Sequence, residues 1–227
     1  MQSKIQCFFD SKEKKGADGK IHYPEETSLR LWEAKELQRL ARGSAIQETL
    51  EIGLALGASA VAIAEALESK GAMARHVALD PYQANYGQVG LRELERLGLS
   101  HRVDFLPIFS HDFLYRCSKE GRFFDLIFND GAHAIGSKVA DTFLADRCLN
   151  PGGFMVFHDA FMFSVAASVR YLIKERGYQI IQLSPDYRLK RFLRSLKYGA
   201  QFGAWYGLCV VTATAKSLVA VRKPKND

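Results

Sequence analysis

Cysteine is scarce in this 227-residue chain, and Cys7, Cys117, Cys148 and Cys209 stand far apart with no C-x-x-C pair. That spacing argues against a disulfide framework or a zinc site and fits a reducing cytoplasm. Long apolar runs are missing as well. No stretch approaches the roughly eighteen apolar residues needed to span a bilayer. The opening MQSKIQCFFDSKEKKGADGK turns charged within a few residues and has no signal-peptide core. There is no internal repeat and no low-complexity linker. With 48% hydrophobic and 25% charged residues, the composition is that of a soluble globular protein.

The formal charge is +6, from 31 basic and 25 acidic residues, and it is unevenly spread. From Asp186 onward there are nine Lys/Arg against two Asp, so the rest is about neutral. A basic region of this kind is either a solvated face or a contact for nucleic acid, acidic lipid or an anionic substrate.

Residues 1–26 read as a loosely ordered N-terminal arm. A helix is expected from about Thr27 to Ala41, with Gly43 as its stop. Apolar strands and amphipathic helices then alternate. The strands are ETLEIGL, RHVALD, RVDFLPIF, FFDLIFND, GGFMVFHD, YQIIQL and SLVAVRK. The helices begin with the alanine-rich ASAVAIAEALESKG, whose small side chains predict close packing. This rhythm predicts a doubly wound α/β domain over 27–227, its seven-stranded, mostly parallel sheet covered by helices on both faces. One segment breaks it. Residues 184–216 form a basic-aromatic insert with Tyr187, Phe192, Tyr198, Phe202, Trp205 and Tyr206 among arginines and lysines.

In such a sheet, ligands bind at the carboxyl ends of the strands, near the point where strand order reverses. The first strand ends in EIGLALGAS, with Glu51, Gly53 and Gly57 ahead of a helix. Glycines there let a ligand approach main-chain N–H groups. The second strand ends in Asp80, twenty-three residues beyond Gly57. An acid at that place accepts hydrogen bonds from ribose hydroxyls. The spacing is not the G-x-G-x-x-G of a dinucleotide site. A carboxylate beside the loop disfavours phosphates and suits a ligand with an ammonium and a sulfonium. Asp130 and His133 follow the fourth strand, and His158 and Asp159 follow the fifth. Adjacent strands would join two carboxylates and two imidazoles at one rim. Such a cluster can hold a divalent metal, which lowers the pKa of a substrate hydroxyl while an imidazole takes the proton.

LEIGLALGAS resembles the first motif of class I S-adenosylmethionine-dependent methyltransferases, with Ala55 where the middle glycine is typical. LNPGGFMVFHD resembles their fifth strand and the turn before it. The resemblance implies that Glu51, Gly53 and Gly57 cradle the methionine part of the cofactor. It puts Asp80 on the ribose, with Tyr82 and Ser110 near the adenine and Asp130 at the methyl-transfer end. His111 and Asp112 compete with Ser110 for that place.

The D-G-x-H pattern at Asp130–His133 further resembles the metal-dependent O-methyltransferases that act on macrolide sugars and, more loosely, the catechol type. By that resemblance Asp130, His158 and Asp159 are the metal set and His133 the general base. His158 stands where an acidic residue is usual, and magnesium prefers oxygen. Either His158 is not a ligand, or the metal is manganese, zinc or another that accepts nitrogen, or the site is weak. Metal-free transfer with His133 as base is the alternative chemistry. The bland alternative has Asp130 and Asp159 capping helices and the histidines satisfying loop carbonyls.

The acceptor implied is a hydroxyl of a small molecule, glycosylated ones included. An RNA-associated methyltransferase, or a non-catalytic RNA-binding protein using the insert, is the rival, with nucleic acid ranked below a small molecule. A membrane-surface role for the insert ranks third. The arm and the insert are also candidate homodimer contacts. His76 and His101 begin strands far from the rim and are expected at the surface, as are Asp141 and Asp146 on the helix after Asp130.

Overall fold

The computed structural model describes residues 2–23, 29–181, 183 and 218–225. The insert at 184–216 and the expected helix start at Thr27 lie outside them. Seven strands, β3 (Glu48–Ile52), β4 (Arg75–Leu79), β5 (Val103–Leu106), β6 (Phe124–Asn129), β7 (Leu149–His158), β8 (Gln179–Ile181) and β9 (Leu218–Arg222), form one sheet. Its order is β5-β4-β3-β6-β7-β9-β8. The first five strands run parallel, and β9 lies antiparallel between β7 and β8. The order reverses between β3 and β6, so a crevice opens at the carboxyl ends of those two strands.

Alternation within the strands separates two cores. Leu50, Ile52, Val77, Leu79 and Ile127 face α5 (Ser110–Glu120), α6 (Ile135–Arg147) and α7 (Phe163–Glu175). Ala78, Leu126, Phe128 and Val156 face α2 (Leu31–Ala41) and α3 (Ala58–Leu67). The alanine-rich helix is the central one: nine of its ten residues are buried. Small side chains let α3 lie close on the sheet with α2 against its flank. A further helix, α4 (Val89–Arg96), buries Val89, Gly90, Glu93 and Leu94. None of the helices among the described residues is long and apolar enough to cross a membrane.

The N-terminal segment departs from the loose arm expected. Residues Lys4–Asp10 form α1, with Ile5 and Phe8 fully buried, each worth about 1.5–3 kcal/mol of apolar burial. Its first turn is capped from outside. The Glu65 carboxylate of α3 accepts the Lys4 and Ile5 backbone N–H groups at 2.8 Å each and the Ser3 hydroxyl at 3.0 Å. Lys14, in a two-residue strand β1 (Lys14–Lys15) paired with β2 (Ile21–His22), is buried too. Its ammonium bonds Glu93 at 2.8 Å and lies 3.9 Å from the Phe8 ring centre. Lys14 of this charged segment is thus an internal partner.

His101 is exposed as expected, but His76 is fully buried. Its Nδ1 lies 2.9 Å from the Thr49 hydroxyl and its Nε2 3.6 Å from Glu51. Asp146 is also buried, bonded by Arg176 at 2.8 Å and Tyr178 at 2.7 Å. Asp146 is satisfied by partners on neighbouring elements, whereas His76 is bonded at Nδ1 and its Nε2 makes no hydrogen bond among the described residues.

Candidate active site

The crevice is a cavity of about 600 Å³ that runs from the tips of β3 and β4 to the tip of β6. Gly53, Gly57, Asp80, Tyr82, Ser110, Asp130 and His133 all line it. The loop after β3 fits there because of two glycines with φ of +95° and +88°. A Cβ on Gly53 would meet the Asp130 carbonyl oxygen at 2.7 Å, and one on Gly57 would meet Gly90 Cα at 2.8 Å. Ala55, at the middle position, also takes a positive φ of 44°, a conformation alanine adopts only when its surroundings hold it.

Asp80 supplies part of that hold. Its Oδ2 accepts the Ala55 N–H at 2.9 Å and the Gln83 amide at 3.1 Å, and its Oδ1 accepts the Tyr82 N–H at 2.8 Å. A carboxylate has about four acceptor positions, so capacity remains toward the cavity. Tyr82 meets Phe109 edge-on at 5.9 Å, and Phe109 stacks on His111 at 5.4 Å. These rings wall the mouth. The Ser110 hydroxyl donates to Asp141 at 2.6 Å. Asp141 is buried in the cavity wall instead of facing solvent, and burial pushes its carboxyl above the usual range despite Ser110 and Lys138.

Glu51 is elsewhere. It points away from Ile52, into the α2–α3 side, and is not among the residues lining the cavity. It is fully buried, neither oxygen has a hydrogen-bond partner among the described residues, and His76 is 3.6 Å away.

Register brings the other four rim residues together, because Asn129 pairs with Phe157. Asp130, His133 and Asp159 each offer a ligand atom within 4.8 Å of the others. His133 Nδ1 lies 2.7 Å from the Gly131 carbonyl and Nε2 3.0 Å from Asp159 Oδ2. The carbonyl can only accept, so Nδ1 carries a hydrogen. The Asp159 bond raises His133 above the ordinary imidazole pKa, with burial acting the other way. Burial works against the charge of Asp159, yet His133 and His158 outweigh it and hold the carboxyl well below the usual range.

His158 takes a place behind this cluster, fully buried. Nδ1 is 3.3 Å from Asp159 and 3.6 Å from Asp130, and Nε2 is 3.5 Å from Glu33 of α2. Burial opposes its protonation, but Asp159, Glu33 and Asp130 prevail and push its pKa up to about 10. The side chains that converge closely enough to share one ion are Asp130, His133 and Asp159, which leaves His158 behind that set instead of within it.

Sequence reasoning missed Lys138, Asp141 and Glu33. A signal existed for the first two: Lys138, Asp141, Thr142 and Ala145 share the inward stripe of α6. Glu33 meets His158 across 125 residues, beyond any local pattern.

Residues 50–160 match the family described as a methyltransferase domain. Curated proteins give no match. Among solved structures, the cofactor-bound protein Rv0187 from MTB is 20% identical over 98% of this chain and 88% of its own, with a TM-score of 0.60. The O-methyltransferase TomG from Streptomyces achromogenes, involved in tomaymycin synthesis and solved with S-adenosylmethionine, is 19% identical over 79% of this chain and 80% of its own, at 0.58. An O-methyltransferase from Bacillus cereus in complex with S-adenosylhomocysteine is 18% identical over 86% and 82%, also at 0.58. The expected fold is borne out, and the domain match bears out the expected methyltransferase class.

Proposed function

Starting from a class I S-adenosylmethionine-dependent methyltransferase fold with its methyltransferase domain at residues 50–160, we propose that this chain moves a methyl group to a hydroxyl of a small molecule. The observation that carries this reading is one continuous cavity. It joins Gly53, Gly57 and Asp80 to Asp130 and His133, beside which Asp159 stands.

On the donor side, the main chain of residues 53–57 receives the methionine portion. Asp80 accepts from the ribose hydroxyls, and the Tyr82–Phe109 wall with Ser110 flanks the adenine. On the acceptor side, neutral His133 takes the hydroxyl proton at Nε2 as the oxygen attacks the sulfonium methyl carbon, whose bond to sulfur breaks to release S-adenosylhomocysteine as the thioether. The Gly131 carbonyl fixes its tautomer, and Asp159 steadies the imidazolium that forms. Orientation supplies most of the remaining acceleration, since the donor carbon is already electrophilic.

The nitrogen and two carboxylate oxygens of His133, Asp130 and Asp159 also fit a divalent cation that accepts nitrogen, such as manganese. Bound there, it would lower the pKa of the acceptor hydroxyl. His158 stays outside this donor set, with its charge toward Asp130 and Asp159. Glu51 lies beneath the loop, out of contact with the cavity.

Calorimetry with S-adenosylhomocysteine tests the reading. The parent binds at micromolar concentration, and Asp80→Ala weakens binding about a hundredfold by removing charge-assisted bonds worth ~1.5–3 kcal/mol each. Absence of parent binding in the low-millimolar range, or an Asp80→Ala protein that binds like the parent, overturns it.

A further inference from the structure

Lys138 is the unexpected group near this cluster. It lies one turn into α6, with no exposed surface, yet ends in an ammonium. Its hydrogen-bond partners are neutral oxygens: Asn129 Oδ1 at 2.7 Å and the Gly131 carbonyl at 3.4 Å. Neutral acceptors offset only part of the cost of taking an ammonium out of water. Burial lowers its pKa from the ordinary lysine value, and the fields of Asp130, Asp141 and Asp159 act in the other direction. Two of these are also the carboxylates of the candidate cation site.

The Gly131 carbonyl is shared. It takes Lys138 Nζ from one side and His133 Nδ1 from the other. Lys138 therefore holds the turn that carries Asp130 and His133, and does so from behind, since it is not among the residues lining the cavity. His158 approaches the same carboxylates at 3.3–3.6 Å, but it touches the donor atoms themselves. Lys138 bonds Asn129 and the Gly131 carbonyl instead, so its charge can be removed with the ligand set left whole.

We propose that Lys138 is a built-in counter-cation of the Asp130–Asp159 pair, which positions the Asp130–His133 turn and holds down the cluster's affinity for a divalent ion. The site would then take manganese loosely and exchange it readily. The inference rests on the reading of Asp130, His133 and Asp159 given above, and the two can fail separately.

The test is manganese binding to the full chain, read from the free-ion electron paramagnetic resonance signal, with S-adenosylhomocysteine calorimetry alongside. Lys138→Met removes the charge at similar volume and should bind manganese about tenfold tighter or more, because repulsion between like charges in a partly buried site is lost. Lys138→Arg keeps the charge and should bind like the parent. Lys138→Met combined with Asn129→Leu leaves an all-apolar pair, and covers the case in which the single variant folds poorly. A purely structural lysine predicts the opposite, weaker binding in every Lys138 variant. Unchanged or weaker manganese affinity in the charge-removed proteins overturns the proposal, as does absence of binding by all of them at millimolar manganese. Intact cofactor binding with unmoved manganese affinity sinks only the counter-cation, whereas loss of parent cofactor binding sinks the enzymatic reading itself.

Discussion

Replacing His158 with glutamine removes the imidazolium lodged among Glu33, Asp130 and Asp159 and should flatten the dependence of stability on alkaline pH. The pKa of this group is about 10 in the folded chain against 6.5 for a free imidazole. A raised folded-state value means the contribution is complete below pH 6.5 and lost as pH climbs through about 10. At about 1.4 kcal/mol for each tenfold change, the full contribution is on the order of 5 kcal/mol, a large share of the ~5–15 kcal/mol typical of a domain. For a chain of this size that is a melting-temperature fall of about 10–20 °C. Thermal melts of parent and His158→Gln across that window supply the test. Tyrosines and lysines begin to titrate near its upper end in both proteins, so the difference between the two curves isolates the histidine. The variant should be less stable at neutral pH and converge on the parent by pH 10. Parallel curves would show that the three carboxylates do not hold a charge there, and the electrostatic account of the cluster would fail.

Two other outcomes follow from the geometry. His133→Asn should lower kcat by about 10²–10³ with any hydroxyl acceptor the parent methylates, the usual contribution of a positioned base, with S-adenosylhomocysteine affinity unchanged; retained turnover removes His133 from the chemistry. Glu65→Ala should cost about 2–3 kcal/mol, since a carboxylate that accepts from Ser3, Lys4 and Ile5 is lost. Hydrogen exchange should then quicken at residues 4–10 with the central strands unchanged, and equal protection in both proteins refutes the external cap.

The sheet could be read from the chain because each strand carries its own local signal: an apolar run followed by glycine or a carboxylate. Gly53, Asp80 and Asp130 were visible for the same reason, since rim positions follow directly from where a strand stops. What stayed hidden depends on pairs far apart in sequence. Ile5 and Phe8 look like two apolar residues in a charged arm until Glu65 of α3 caps the turn between them. His76 at a strand start suggests solvent until Thr49 and Glu51 of the next strand enclose it. Asp141 looked like a solvated charge on a helix and Lys138 drew no reading, and only the folded stripe turns them inward. Glu51 was visible in the right motif, but alternation along β3 aims it to the opposite side from Ile52, which lines the cavity.

The contact between Gly53 and the Asp130 carbonyl has a bearing on how such a protein can diverge. Asp130 also donates its N–H to the Ile52 carbonyl at 3.0 Å, so the two loops are sewn together along one seam. A mutation that enlarges the first loop displaces the second, and one that re-aims the second reshapes the first. Selection for a new acceptor therefore meets least resistance in segments away from this stitch, where a change in one partner does not disturb the other.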